Sequence, residues 1–180
     1  MANKKHALTF VTITVLLDTI GFGIILPVMP EFLVSLGNIS LSEASSLSGF
    51  LIASYAVTNF FFAPILGGLS DRFGRKPLLV VSLFFFAISY LLAGFATALW
   101  VLFLGRILTG VTSATYAVAN ALIADVSPPE ERAQNFGLLG VAFGLGFIIG
   151  PALGGIIGGW ELRAPFFVSA GLAFANALYG

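Results

Sequence analysis

Asp18 stands at the centre of an otherwise apolar run from Leu8 to Val28. A carboxylate midway through a bilayer-length helix costs about 2.5–3.5 kcal/mol or more, so it is kept only with a partner or a task. The task open to it is proton handling, because a carboxyl reached by water alternately from two sides can load and unload a proton. Thr14 and Gly21 share its helical face. A second charge, Arg106, heads a stripe of Gly110, Ser113, Ala117 and Asn120 at helical spacing, and Ser48, Tyr55, Asn59 and Phe62 form a third such face. Polar faces of this kind turn away from lipid, toward neighbouring helices or a wet cavity. Thr14, Tyr55, Asn59, Ser113 and Asn120 are therefore expected to line a cavity served by Asp18 and Arg106. Intramembrane Ser, Thr and Asn also bond across helices for about 0.6 kcal/mol on average, so for Asn59 and Ser113 glue and cavity lining both stand. A buried Asp18–Arg106 ion pair is the structural alternative. Depth argues against it, since Arg106 lies only six residues past Trp100, roughly 9 Å along a helix.

The elements that must position these groups follow from composition. Hydrophobic residues make up 58% of the 180-residue chain and charged residues 9%, with a mean hydropathy of +1.04. A soluble domain carries about 25% charged residues, so this chain has no polar coat and reads as an all-α polytopic membrane protein. There is no cysteine, and His6 is the sole histidine. Disulfides, thiol catalysis and a cysteine- or histidine-built metal site are excluded on that count, and neither metal nor cofactor is expected. Zero net charge by itself says nothing of acidic partners; the expected partner is the lipid bilayer, not nucleic acid.

A spanning helix needs about 20 mostly apolar residues, and six such segments fit: 8–34, 46–68, 78–97, 99–123, 135–158 and 165–180. Turn signals separate them at Gly37-Asn38, at Gly74 with Pro77, at Ser127-Pro128-Pro129, and at Gly158-Gly159 ahead of Pro165. The first run is too long for a secretory signal and has no small-residue cleavage site, so it is retained as a helix. With the N-terminus cytoplasmic, inner segments hold Lys4, Lys5, Arg72, Arg75, Lys76 and Arg132, against Arg163 alone outside. That bias sets the orientation, and Trp100 and Trp160 then fall near the outer interface. The sixth span reaches Gly180 without a flanking charge, which reads as a fragment or an isolated half, residues 1–180 forming one six-helix bundle with its C-terminal counterpart absent.

Two further patterns stand out. Gly146, Gly150, Gly154 and Gly158 recur every four residues around Pro151. This spacing permits close backbone approach and a kink, so the stripe should face another helix, as static packing or as a hinge. Between the second and third spans, Gly67 to Pro77 contains Asp71 among Arg72, Arg75 and Lys76, with Gly74 and Pro77 suited to a tight reversal. By charge alone it is a solvated inner loop.

That loop resembles the signature G-x-L-x-D-R-x-G-R-K/R of the major facilitator superfamily. Three more stretches resemble it in order: Arg106-Ile107-Leu108-Thr109-Gly110 on helix 4; Gly146-Phe147-Ile148-Ile149-Gly150-Pro151-Ala152-Leu153-Gly154-Gly155, the antiporter signature of helix 5; and Asp18-Thr19-Ile20-Gly21 with Pro27-Val28-Met29-Pro30 on helix 1. Within the superfamily the chain looks most like the drug:proton antiporters of the tetracycline-resistance exporter type, through Ala121 to Val126, Glu131-Arg132-Ala133, Phe136-Gly137 and Ala164-Pro165-Phe166-Phe167. The resemblance runs from Asp18 to the end and implies the N-terminal half of a twelve-helix fold. It implies a cytoplasmic charge network of Asp71, Arg72, Arg75, Lys76, Asp125 and Arg132, in which Asp71, Arg75 and Asp125 lock the two halves in the outward-facing state. It implies that Gly146, Gly150, Pro151, Gly154 and Gly155 shape the interface with the opposite half. It gives Asp18 and Arg106 proton and substrate coupling, and makes Asn59 a polar amide of helix 2. The tetracycline exporters carry an aspartate just before the Tyr90-Leu91-Leu92 match, where Ser89 stands here; this departure favours drug export over tetracycline itself.

The expected function is proton-coupled efflux of drugs or other amphiphilic small molecules across the cell membrane by alternating access. Proton-coupled uptake of a sugar or other metabolite on the same fold is the alternative, and a non-transporting sensor or assembly subunit a third. No paired carboxylates, activated nucleophile or cofactor loop suggests an enzyme. Phe60-Phe61-Phe62 and Phe84-Phe85-Phe86 serve either an apolar cavity or the lipid face.

Overall fold

The computed structural model describes residues 2–113 and 115–180, with side chains from His6 onward; Lys4 and Lys5, counted above for orientation, have side chains outside that set. Among the described residues, eight helices build six rods, five of them long and apolar enough to cross a membrane and the sixth a shorter apolar helix. The first rod is broken: α1 (Ala2–Ile25) gives way at Leu26-Pro27-Val28 to α2 (Met29–Gly37). Pro27 and Pro30 each lack the N–H that a continuous helix would bond one turn back, and the chain there makes tight turns instead, Leu26 N to Gly23 O at 3.3 Å and Val28 N to Ile25 O at 3.2 Å. The second rod is α3 (Leu41–Phe73) and the third α4 (Arg75–Gly94). A capping box starts α3: Ser40 Oγ accepts from the Glu43 N–H at 3.3 Å, and Glu43 accepts from the Ser40 N–H at 2.9 Å. A single residue, Gly74 at φ 99°, joins α3 to α4, a conformation that suits glycine and no other residue comfortably.

The fourth rod is broken as well, into α5 (Leu99–Thr112) and α6 (Thr115–Val126), with Ser113 extended at φ −78° and ψ 103°. The span expected over 99–123 is present as this rod, with its helix interrupted at Ser113. No proline or glycine marks the break. It is held by side chains from two other helices that take the freed carbonyls: Asn59 on α3 donates to Ser113 O at 2.6 Å, and Ser82 on α4 donates to Thr112 O at 2.7 Å. The fifth rod, α7 (Pro129–Gly158), and the sixth, α8 (Ala164–Tyr179), complete the bundle.

The first rod is the centre of the packing. α1 lies against α7, α8 and α6, whereas α4 bridges α8 and α5, and α3 rests on α5. Of the apolar stretch of α1, 56% is buried, against 6% for α3 and 22% for α7, which places those two rods at the periphery of this chain. Two core clusters form, one near the Arg75 end around Val11, Leu79, Ile123 and Leu139, and one near the opposite end around Phe32, Leu51, Leu102 and Phe166. Because successive rods alternate in direction, Trp100, Trp160 and Arg163 fall at that second end. Trp100 and Trp160 are exposed, and Arg163 donates to Gly94 O at 2.7 Å, tying the start of α8 to the end of α4.

The glycine stripe of α7 faces α1. A Cβ on Gly146 would meet Thr19, one on Gly150 would meet Gly23 and Ile20, one on Gly154 the carbonyl of Ile24, and one on Gly158 the side chain of Val28. The stripe therefore packs inside this bundle. The stripe thus faces another helix, as its four-residue spacing predicts. Gly155, on another face of α7, has open space around it.

Candidate functional site

Between the two core clusters lies a cavity of about 230 Å³, walled by α1, α3, α4, α5, α6 and α7. Asp18 reaches it from α1 and Arg106 from α5. The helix pattern that put both charges on inward faces is thus realised at one place. The two ion pairs found among the described residues both centre on Arg75 and leave Asp18 and Arg106 unpaired. Arg106 sits instead over the ring of Phe22, 5.9 Å from its centroid, one helical turn beyond Asp18. Tyr55 and Ser113 also face the cavity, their hydroxyls 3.2 Å apart.

Three residues expected in the lining are not on the wall. Thr14 is fully buried against α8, where its hydroxyl donates to Asn176 Oδ1 at 3.3 Å. Asn59 is held by the Ser113 carbonyl, and Asn120 donates to the Tyr116 carbonyl one turn back at 2.7 Å. The break at Ser113 disrupts the single stripe drawn from Arg106 to Asn120: Arg106 and Ser113 stay on the wall, while Ala117 is exposed. Gly110 serves as a contact point, since a Cβ there would lie 2.8 Å from the Tyr55 carbonyl.

Several more lining residues carry no charge and, Phe86 apart, have no signal of their own in the sequence. Phe22 follows Asp18 by one turn, Phe86 and Tyr90 come from α4, and Phe143 and Phe147 from α7. Each pair is spaced i, i+4, so a stripe was present, but inside all-apolar segments it cannot be told from a lipid-facing one. The phenylalanine-rich segments separate accordingly: Phe60 and Phe61 are exposed, whereas Phe86 reaches the cavity. Ser89 does not join this wall. Its hydroxyl donates to Gly105 O at 2.7 Å and accepts from Thr109 at 2.6 Å, clamping α4 to α5.

A second polar centre lies at the Arg75 end. Arg75, at the start of α4, bridges Asp71 in the last turn of α3 at 2.5 Å and Asp125 at the end of α6 at 3.1 Å, and donates to Ser70 at 2.5 Å. Arg132 caps the carbonyls of Ala124 and Ser127, each at 3.3 Å, and Asn135 donates to Ser127 Oγ at 2.8 Å. Arg72 and Lys76 stand apart, over the rings of Phe73 and Phe10. The expected network thus has a core of Asp71, Arg75 and Asp125, with Arg132 acting beside it on backbone.

The arrangement is a membrane-embedded cavity with aromatic walls, one carboxyl and one guanidinium. A family model described as Major Facilitator Superfamily matches residues 11–180. The tetracycline resistance protein, class C, of Escherichia coli is 43% identical over 177 residues, covering 98% of this chain and 44% of that protein. Multidrug resistance protein 2 of Bacillus subtilis is 36% identical over 160 residues, covering 88% of this chain and 39% of that protein. The crystal structure of the human organic anion transporter TETRAN superposes with a TM-score of 0.83 at 25% identity, over 98% of this chain and 46% of that one. The chain spans less than half the length of each of these proteins.

Proposed function

Because this chain belongs to the Major Facilitator Superfamily, we propose that it forms the N-terminal half of a proton-coupled exporter of drugs or other amphiphilic small molecules, working by alternating access. The observation that carries the proposal is Asp18: a carboxyl on a cavity wall deep among apolar rods, outside both ion pairs of the described residues. Such a group is costly unless it is used. A proton taken up when the cavity opens to one face, and given up when it opens to the other, is the use that fits. Arg106 shares the wall and tunes the field at Asp18, while the aromatic rings receive the apolar part of the cargo.

A cavity of about 230 Å³ is small beside the ~300–1,000 Å³ usual for ligand sites. A second six-helix half, packing along exposed faces such as those of α3 and α7, would enlarge and close it. The N-terminus and the Arg75 end lie on the cytoplasmic side in this reading, and Arg75 with Asp71 and Asp125 holds that end shut in the outward-facing state. The names of the relatives support export over sugar uptake, and transport over enzymatic chemistry.

The test uses the complete transporter in membrane vesicles. An imposed proton gradient should drive the drug in the opposite direction to the proton, and Asp18→Asn should abolish that transport while membrane insertion stays normal. Undiminished proton-driven transport by Asp18→Asn would overturn the role of Asp18. Cargo moving with the proton gradient would favour uptake instead.

A further inference from the structure

Two hydroxyls on the cavity wall are left without a partner. Tyr90 is 4% exposed and Thr115 3%; both line the cavity. Tyr90 Oη and Thr115 Oγ1 are the buried side-chain polar atoms among the described residues that make no hydrogen bond. The other hydroxyls on the wall are satisfied: Thr19 donates to Val15 O, Thr109 to Ser89 Oγ, and Tyr55 is paired with Ser113. Buried polar groups are almost always bonded, so each orphan calls for a partner, a water or a ligand.

Neither group can easily find a partner within the protein. The Tyr90 ring is stacked on Phe86, centroids 6.1 Å apart, and its other side lies against Gly21 of α1, where a Cβ would be 3.8 Å away. Thr115 opens α6 just after the break in the fourth rod. It does not make the bond to a carbonyl one turn back that Thr12, Thr19, Thr58 and Thr112 all make. The break that turns Ser113 toward Asn59 leaves the Thr115 hydroxyl unbonded, buried in the cavity wall.

We propose that Tyr90 Oη and Thr115 Oγ1 are the hydrogen-bonding anchors of this site, selecting cargo that presents an oxygen or nitrogen on a flat apolar frame. The frame lies against Phe22, Phe86, Phe143 and Phe147, and the polar atom reaches the two hydroxyls from α4 and α6. The inference rests on the exporter reading above and assigns its specificity to two uncharged residues, separate from the proton step at Asp18.

The variants Tyr90→Phe and Thr115→Val, made in the complete transporter, remove each hydroxyl and keep its shape. Binding is measured with two probes: tetracycline, rich in hydroxyl and carbonyl groups, and tetraphenylphosphonium, which has no hydrogen-bonding atom. Each variant should weaken tetracycline binding roughly three- to tenfold, leave tetraphenylphosphonium binding unchanged, and leave the melting temperature of the ligand-free protein the same or higher, because no bonded partner is orphaned. Unchanged tetracycline binding, equal weakening for both probes, or a lowered melting temperature would overturn the inference and leave the exporter reading intact. So would a wild-type protein that binds tetraphenylphosphonium but not tetracycline. A wild-type protein that binds neither probe would remove the exporter reading and this inference together.

Discussion

At the scale of single residues, what decides the outcome is which face of a helix a small or polar group occupies. Gly154 and Gly155 are neighbours in sequence with opposite surroundings. A side chain at Gly154 would run into the backbone of Ile24, while Gly155 has open space. Gly154→Val should therefore destabilise the protein by about 1–3 kcal/mol or more, by prising α7 from α1. Gly155→Ala should be neutral, and thermal unfolding of the two variants in detergent checks the contrast. The four-residue glycine period showed in the sequence that a helix would lie there; which helix, and so which partner each glycine meets, was settled only by the packing of α1. Asp18 and Arg106 were legible for a different reason: a charge in an apolar segment is visible wherever it occurs. Thr14 was misplaced because Asn176, its partner, is 162 residues away, beyond anything a helical face can reveal.

Elements were legible where composition changes and obscure where it does not. The rods and the Gly74 reversal carry their own residue signals; Pro27 and Pro30 lie inside the run expected as one span over 8–34, so the break after Ile25 did not show. The break at Ser113 carries none. It persists because Asn59 and Ser82 satisfy the two carbonyls it frees, so its cause lies on α3 and α4 and not in the segment that bends. Removing either donor orphans a carbonyl within the bundle. Asn59→Ala and Ser82→Ala should each cost about 1–3 kcal/mol, read as a lowered melting temperature. Each should also perturb binding in the cavity although neither side chain lines it, because Ser113 and Thr115 flank the break. A melting temperature unchanged in both variants would show that the break needs no clamp.

For the molecule as a whole, the unequal burial of the rods is the informative property. α1 is held on three sides while α3 and α7 are left largely bare, and the chain spans less than half the length of its relatives. A second bundle rocking against the first would open the cavity to each side in turn, and the Arg75 cluster, tying the ends of α3, α4 and α6 together, would hold one of those states. Exposed ion pairs of this sort are worth only about 0–1 kcal/mol each, enough to bias two nearly balanced states and too little to freeze them.

The central claim is that cargo and proton exchange at Asp18. It is tested most directly by giving the complete transporter, in unbuffered detergent solution, a drug that it binds and recording the pH. The wild-type protein should release protons as the drug binds, and Asp18→Asn should bind the drug without releasing them. Equal release by both proteins would contradict the account.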